Sequence, residues 1–161
     1  MRLLAFATIF GLASAASADT FVLGVGYDDV FGQTDTESVA LVVEYHRSPF
    51  YQGEVASYSI AGAAQVDSDG DVFVGVGVSA KWVLNKSRWF VEGSLMPGYY
   101  DQGSGGTPLS GNIQFRTLVG IGYDISDKIA VSLALDHKSN ASIERDNPGS
   151  ETVVLRYRVK F

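Results

Sequence analysis

The chain has 161 residues, no cysteine and a formal charge of −6 from 12 basic and 18 acidic side chains. That length suits one compact domain and is short for two, and an acidic balance repels the phosphates of nucleic acid. With no cysteine, an exported domain of this size holds together without disulfides.

Residues 1–18, MRLLAFATIFGLASAASA, carry Arg2, an apolar run and the small residues Ala16, Ser17 and Ala18. This is the layout of a cleaved secretory signal peptide, which predicts a mature chain of residues 19–161, with a cut after Ala15 in Ala13-Ser14-Ala15 as the weaker alternative. No later stretch reaches the ~18 apolar residues of a membrane helix. Glycine at 18 against proline at 4, with 8 tyrosines and 9 phenylalanines, favours strands and turns.

Alternation with a period of two then runs along the chain. Phe21, Leu23, Val25 and Tyr27 alternate with small or polar residues, and Val39, Leu41, Val43 and Tyr45 repeat the pattern against Ala40, Val42, Glu44 and His46. A third run, roughly residues 53–63, is weakly patterned. Val72 to Trp82 alternates cleanly, as do runs around Val91, Ile113–Tyr123, Val131–Leu135 and Val153–Phe161. Eight such runs predict an all-β, eight-stranded antiparallel barrel.

A lipocalin-like barrel would turn the apolar face inward, and an outer-membrane barrel would turn it outward. Three features favour the second. The apolar faces are unbroken, the opposite faces carry Glu44, Lys81, Glu92, Arg116, Arg156 and Arg158 in both signs, and the chain ends in Phe161 on the apolar face. The expected location is the bacterial outer membrane. Both termini then lie in the periplasm, with short turns at 47–52, 84–87 and 124–128, and with outer loops at 29–37, 64–71, 99–111 and 140–149. Trp82 and Trp89 fit an inner aromatic girdle. Side chains fill an eight-stranded lumen, which argues against a pore.

Three local motifs read as structure. Asp67-Ser68-Asp69-Gly70-Asp71 has the start of a calcium loop, but its twelfth position is Val78, so it is a turn. The glycine-rich stretches at 24–27 and 75–78 lie inside strands and lack the helix of a dinucleotide fingerprint. His46, on the inward face, reads as packing or a lumen hydrogen bond. No metal or organic cofactor is expected.

The stretch DHKSNASIERDNPGSE, residues 136–151, joins the last two runs. Parity places His137, Ser139 and Glu151 with the lipid-facing residues of their strands. Ten residues from Glu151 to Phe161, at ~3.3 Å each and a tilt near 40°, span roughly 25 Å, the height of the apolar band. Glu151 therefore stands at the outer interface, where a charge on the lipid wall costs only about 0 to 1 kcal/mol. Pairing His137 with Glu151 brings their Cβ atoms to ~4.5 to 5.5 Å, and Ser139 follows on the same face. Nucleophile, base and orienting acid stand in line.

The run His137-Lys138-Ser139-Asn140-Ala141, then Asn147-Pro148-Gly149, Glu151 and the final strand to Phe161, resembles the C-terminal signature of the lipid A 3-O-deacylase (PagL-type) family. Phe90–Tyr100 and Asn112–Tyr123 also resemble it. The likeness covers about the last 75 residues; before that it is one of pattern. It implies an outer-membrane esterase that hydrolyses the ester at the 3-position of lipid A. Ser139 would be the nucleophile, His137 the base, Glu151 its orienting acid, and Asn140 and Asn147 the oxyanion donors. The ester lies just beneath the sugar headgroup, which the outer wall of a barrel reaches and its lumen does not. Lys138 and Arg145 are close enough in sequence to meet a lipid A phosphate, although the parity of Lys138 points inward. A homodimer stays open, and the rival reading is a non-enzymatic barrel serving adhesion or envelope integrity.

Overall fold

The structure, a computed structural model, describes residues 18–31 and 37–161. Apart from Ala18, the expected signal peptide lies outside these residues. The strands are β1 (Thr20–Asp28), β2 (Ser38–His46), a two-residue ribbon β3 (Tyr51–Gln52), β4 (Ala56–Asp67), β5 (Val72–Val83), β6 (Trp89–Asp101), β7 (Ile113–Asp124), β8 (Ile129–Ser139) and β9 (Gly149–Lys160). Long neighbours pair antiparallel, β2 pairs with β4 past the ribbon, and β1 pairs with β9. The result is the closed eight-stranded antiparallel barrel expected from the alternation, with no free edge among the long strands.

Side-chain direction follows parity around the whole sheet. Leu23, Val25, Leu41, Val76, Val119, Ile121, Leu133 and Leu155 face outward and are exposed, whereas Val22, Ala40, Phe73, Phe90, Met96 and Val154 are buried in the lumen. At the end that carries the chain termini, Trp82 meets Tyr58 edge-on at 6.2 Å and Trp89 meets Tyr123 at 5.1 Å. Amphipathic rings of this kind suit a headgroup boundary.

The lumen is held by charge. The Arg116 guanidinium donates to Glu44 Oε1 at 2.9 Å and to Asp136 Oδ2 at 2.8 Å. Arg156 bridges Glu44 and Glu92, each at 2.5 Å, and Arg158 also reaches Glu92. Lys81 meets Asp124 at 2.6 Å. Buried charge is tolerable only when paired, and removing one partner of such a pair costs roughly 3–5 kcal/mol. The mixed signs read along the inward faces are thus the interior of the barrel.

At the loop end, the Asp71 carboxylate accepts the Tyr100 hydroxyl at 2.6 Å and the N–H groups of Gly103 and Thr107 at 2.7 and 2.8 Å, which ties the 102–112 loop to the start of β5. Leu109, Phe73 and Tyr100 pack beneath it. Asp67 Oδ1 accepts the N–H groups of Asp69 and Asp71, both at 3.0 Å, so the Asp-rich motif is a turn closed on its own backbone.

Element boundaries differ from the sequence expectation in three places. The weak third run is β4, which begins at Ala56 and extends to Asp67, so the outer loop expected from residue 64 shrinks to 68–71. In AGAAQV the small residues on both faces blur the alternation. Strand β6 likewise continues through Pro97 to Asp101, shortening the loop expected from residue 99. The turn expected at 47–52 contains the ribbon β3, whose Tyr51 and Gln52 pair with Tyr58 and Ser57.

Candidate active site

The β8–β9 hairpin sets the register of the site. His137 pairs directly with Glu151, and Ser139 with Gly149. All four face outward at the loop end. Across that pair, His137 Nδ1 lies 2.7 Å from Glu151 Oε1. A carboxylate accepts, so Nδ1 donates a proton to it, and Nε2 has no partner among the described residues. The His137 side chain is 41% exposed and that of Glu151 11%, so the imidazole is accessible while the carboxylate is covered.

Gly149 makes room for the imidazole. A Cβ at that position would stand 2.5 Å from His137 Cε1, well inside contact distance. The ring therefore leans over the glycine that Ser139 faces across the ladder. Ser139 itself lies two residues from His137 on the same face. Among the described residues its hydroxyl makes no hydrogen bond to the imidazole, so the structure joins base and acid directly and leaves the nucleophile candidate beside them.

Behind the hairpin, the lumen face locks this register. Lys138 Nζ donates to Asp28 Oδ1 at 2.9 Å and Thr152 Oγ1 at 3.1 Å, and the Ser150 hydroxyl donates to Asp28 at 3.0 Å. The Thr152 hydroxyl also donates to Asp28, and Gln65 donates to Thr152 at 3.2 Å. Val30 N–H donates to the Glu151 carbonyl at 3.1 Å, which ties the end of β1 to the site. Asp28, Ser150, Thr152 and Gln65 form a brace that sequence reasoning missed. The only signal available was polar residues of inward parity at strand ends.

The two asparagines separate. Asn140 is fully buried, and its Nδ2 donates to the carbonyls of Asp146 at 2.8 Å, Ser110 at 3.0 Å and Leu109 at 3.3 Å. Its side-chain amide hydrogens are thereby directed at loop carbonyls. Asn147 is exposed, and its Oδ1 accepts Asn140 N–H at 3.0 Å. That fixes the amide, while its Nδ2 has no protein acceptor among the described residues.

The two cations separate as well. Lys138 is buried with its ammonium on Asp28 and Thr152, so it has no path to a phosphate outside the barrel. Arg145 is exposed in the 140–148 loop. His46 sits in the lumen at the other end, with Nε2 2.7 Å from Glu44 and Nδ1 3.0 Å from the Ser79 hydroxyl, as a lumen hydrogen-bonding group should. Among the described residues no group of three or more acidic, His or Cys side chains is placed to hold a metal ion.

The sequence matches the family described as Lipid A 3-O-deacylase (PagL) over residues 23–160. No curated protein matches it. Among solved structures, the fold is similar to that of the outer membrane enzyme PagL, with a TM-score of 0.68 and 15% identity over 87% of this chain and 98% of that one. It is also similar to a de novo designed transmembrane β-barrel, with a TM-score of 0.57 and 14% identity over 90% and 96% of the two chains. Neisserial surface protein A gives a TM-score of 0.57 and 12% identity over 89% and 96%. At such identities the structural matches speak for the fold alone.

Proposed function

The chain belongs to the lipid A 3-O-deacylase (PagL) family of outer-membrane β-barrel esterases, and from that premise we propose that Ser139, His137 and Glu151 carry the hydrolysis on the lipid-facing rim of the barrel. The single observation that supports this most is the 2.7 Å bond from His137 to Glu151 on the outer wall, with Ser139 next along the same face.

In this reading, Ser139 Oγ attacks the carbonyl carbon of the 3-O-linked acyl ester while its proton passes to His137 Nε2. Glu151 holds Nδ1–H and stabilises the imidazolium that forms. The tetrahedral oxyanion accepts a hydrogen bond from Asn147 Nδ2, a contribution worth about 3 to 4 kcal/mol where one such donor has been removed from other hydrolases. Collapse breaks the ester C–O bond, and His137 returns the proton to the departing 3-hydroxyl of the sugar. Water, deprotonated by His137, then cleaves the acyl-serine and releases the fatty acid.

The positions serve this chemistry. Acyl tails stay in the bilayer while their esters lie beneath the headgroup, so a rim site meets the bond without lifting the substrate from the leaflet. Asn140 acts through Asn147 by holding its amide, and exposed Arg145 is the cation that would face a lipid A phosphate. Export by cleavage after Ala18 places the mature N-terminus at Asp19 in the periplasm.

Mass spectrometry of lipopolysaccharide incubated with the purified protein tests the reading. The expected result is loss of one 3-O-linked acyl chain, and a fall of about three orders of magnitude or more in rate for Ser139→Ala with the barrel still folded. Full activity in Ser139→Ala would remove the nucleophile from the scheme.

A further inference from the structure

At the end of the barrel away from the rim site lies a cavity of about 580 Å3, open between the 47–55, 84–88 and 125–128 turns. Its wall carries the cations Arg47, Lys81, Arg88, Lys128, Arg158 and Lys160 against the carboxylates Glu54, Asp124 and Asp127. The local balance is positive in a chain whose net charge is −6.

Pairing sharpens the excess. Lys81 is matched by Asp124 and Arg158 by Glu92. Arg88 stacks over the Tyr123 ring at 5.9 Å. Among the described residues, Arg47, Arg88, Lys128 and Lys160 belong to no ion pair. Arg47 has Asp19 in its neighbourhood, an ionised carboxylate held below its usual range chiefly by the Tyr45 hydroxyl and the Ser48 N–H, which offsets part of the Arg47 charge and leaves Arg88, Lys128 and Lys160 as the excess.

The floor is satisfied. Glu44 accepts from His46 Nε2–H, so Nδ1 must accept the Ser79 hydroxyl proton, and neither group is left to donate into the cavity. An occupant's charged group therefore belongs at the mouth, among the turns. A cleft with low-dielectric walls and charge of one sign concentrates counter-ions. Cations from separate turns around one cavity suit a group that offers more acceptor oxygens than a carboxylate, which a phosphate monoester or diester does.

We propose that this vestibule binds a phosphate group presented from the periplasmic side. The side assignment rests on the outer-membrane reading above; the cavity and its charge do not. Two sources share the chemistry: the headgroup of an inner-leaflet phospholipid and a soluble phosphate ester.

Two arms distinguish them, both with the full folded chain. In zwitterionic micelles, isothermal titration with inorganic phosphate and with glycerol 3-phosphate reads the soluble source. Native mass spectrometry after exposure to phosphatidylglycerol, against phosphatidylcholine, reads the headgroup source. Saturable binding in either arm is expected, weakened at least tenfold in the triple variant Arg47→Gln/Lys128→Gln/Lys160→Gln and unchanged in Lys86→Gln, an exposed turn cation outside the cavity wall. Rising salt should weaken it too. Absence of saturable binding in both arms, or equal binding by the triple variant, overturns the proposal. Lipid A deacylation is measured on the same samples and should be unchanged by the triple variant, so failure here is separable from failure of the rim site.

Discussion

The barrel holds two histidines that each bond a glutamate and have a serine nearby, and their surroundings differ. His46 is in the lumen, with both ring nitrogens occupied by Glu44 and Ser79, and Glu44 is shared with Arg116 and Arg156. His137 is on the outer wall, bonded to Glu151 through Nδ1 and exposed through the rest of its ring. The first arrangement satisfies every group and so builds structure. The second leaves Nε2 without a partner among the described residues. Residue types alone do not separate the two arrangements; exposure and an unoccupied ring nitrogen do.

The sharpest way to break this comparison is at Glu151. Glu151→Gln keeps the shape but no longer fixes the Nδ1–H tautomer, and the deacylation rate should fall by about two to four orders of magnitude, read by mass spectrometry of the lipid product. A smaller effect is expected at Gly149. The methyl of Gly149→Ala would stand 2.5 Å from His137 Cε1, and the ring, being the end of a side chain, swings away more cheaply than the hairpin moves. Misplacement of that size costs about 100-fold in rate, with the barrel's heat-modifiable migration on a gel unchanged.

His46→Leu reverses the pattern. Deacylation should be unaltered, while the urea midpoint falls by an amount equivalent to about 1–3 kcal/mol, because Ser79 loses its acceptor and Glu44 Oε2 is left with Arg156 alone. Asp19→Asn is the mildest change. The depressed carboxylate contributes stability that is present above its unfolded pKa and is lost as pH falls through the lower folded value. The variant should therefore melt slightly below the parent at pH 7 and match it in strong acid, as thermal denaturation at the two pH values would show.

Much of the fold was legible because a barrel obeys parity. Val72 to Trp82 and Ile113 to Tyr123 declare both faces by alternation, and the lumen charges then fall into place. Strand β4 did not declare itself, since Ala61, Gly62, Ala63 and Ala64 give the two faces nearly the same hydrophobicity. The facing of His137, Ser139 and Glu151 needed only odd numbering and an unbroken hairpin. The division of labour between Asn140 and Asn147 was not legible. It depends on which loop carbonyls of residues 109, 110 and 146 come within reach, and no periodicity encodes that. The Asp28 brace was hidden for the same reason: its partners Lys138, Ser150 and Thr152 lie more than a hundred positions away in sequence.

Covalent trapping tests the central claim most directly. A long-chain alkyl fluorophosphonate, delivered to the folded protein in lipid nanodiscs, partitions to the outer wall and reacts with an activated serine. Peptide mass spectrometry should find the adduct on Ser139, and on no serine once His137 is replaced by Ala. An adduct on Ser79 in the lumen, or labelling of Ser139 that persists in His137→Ala, would contradict the account.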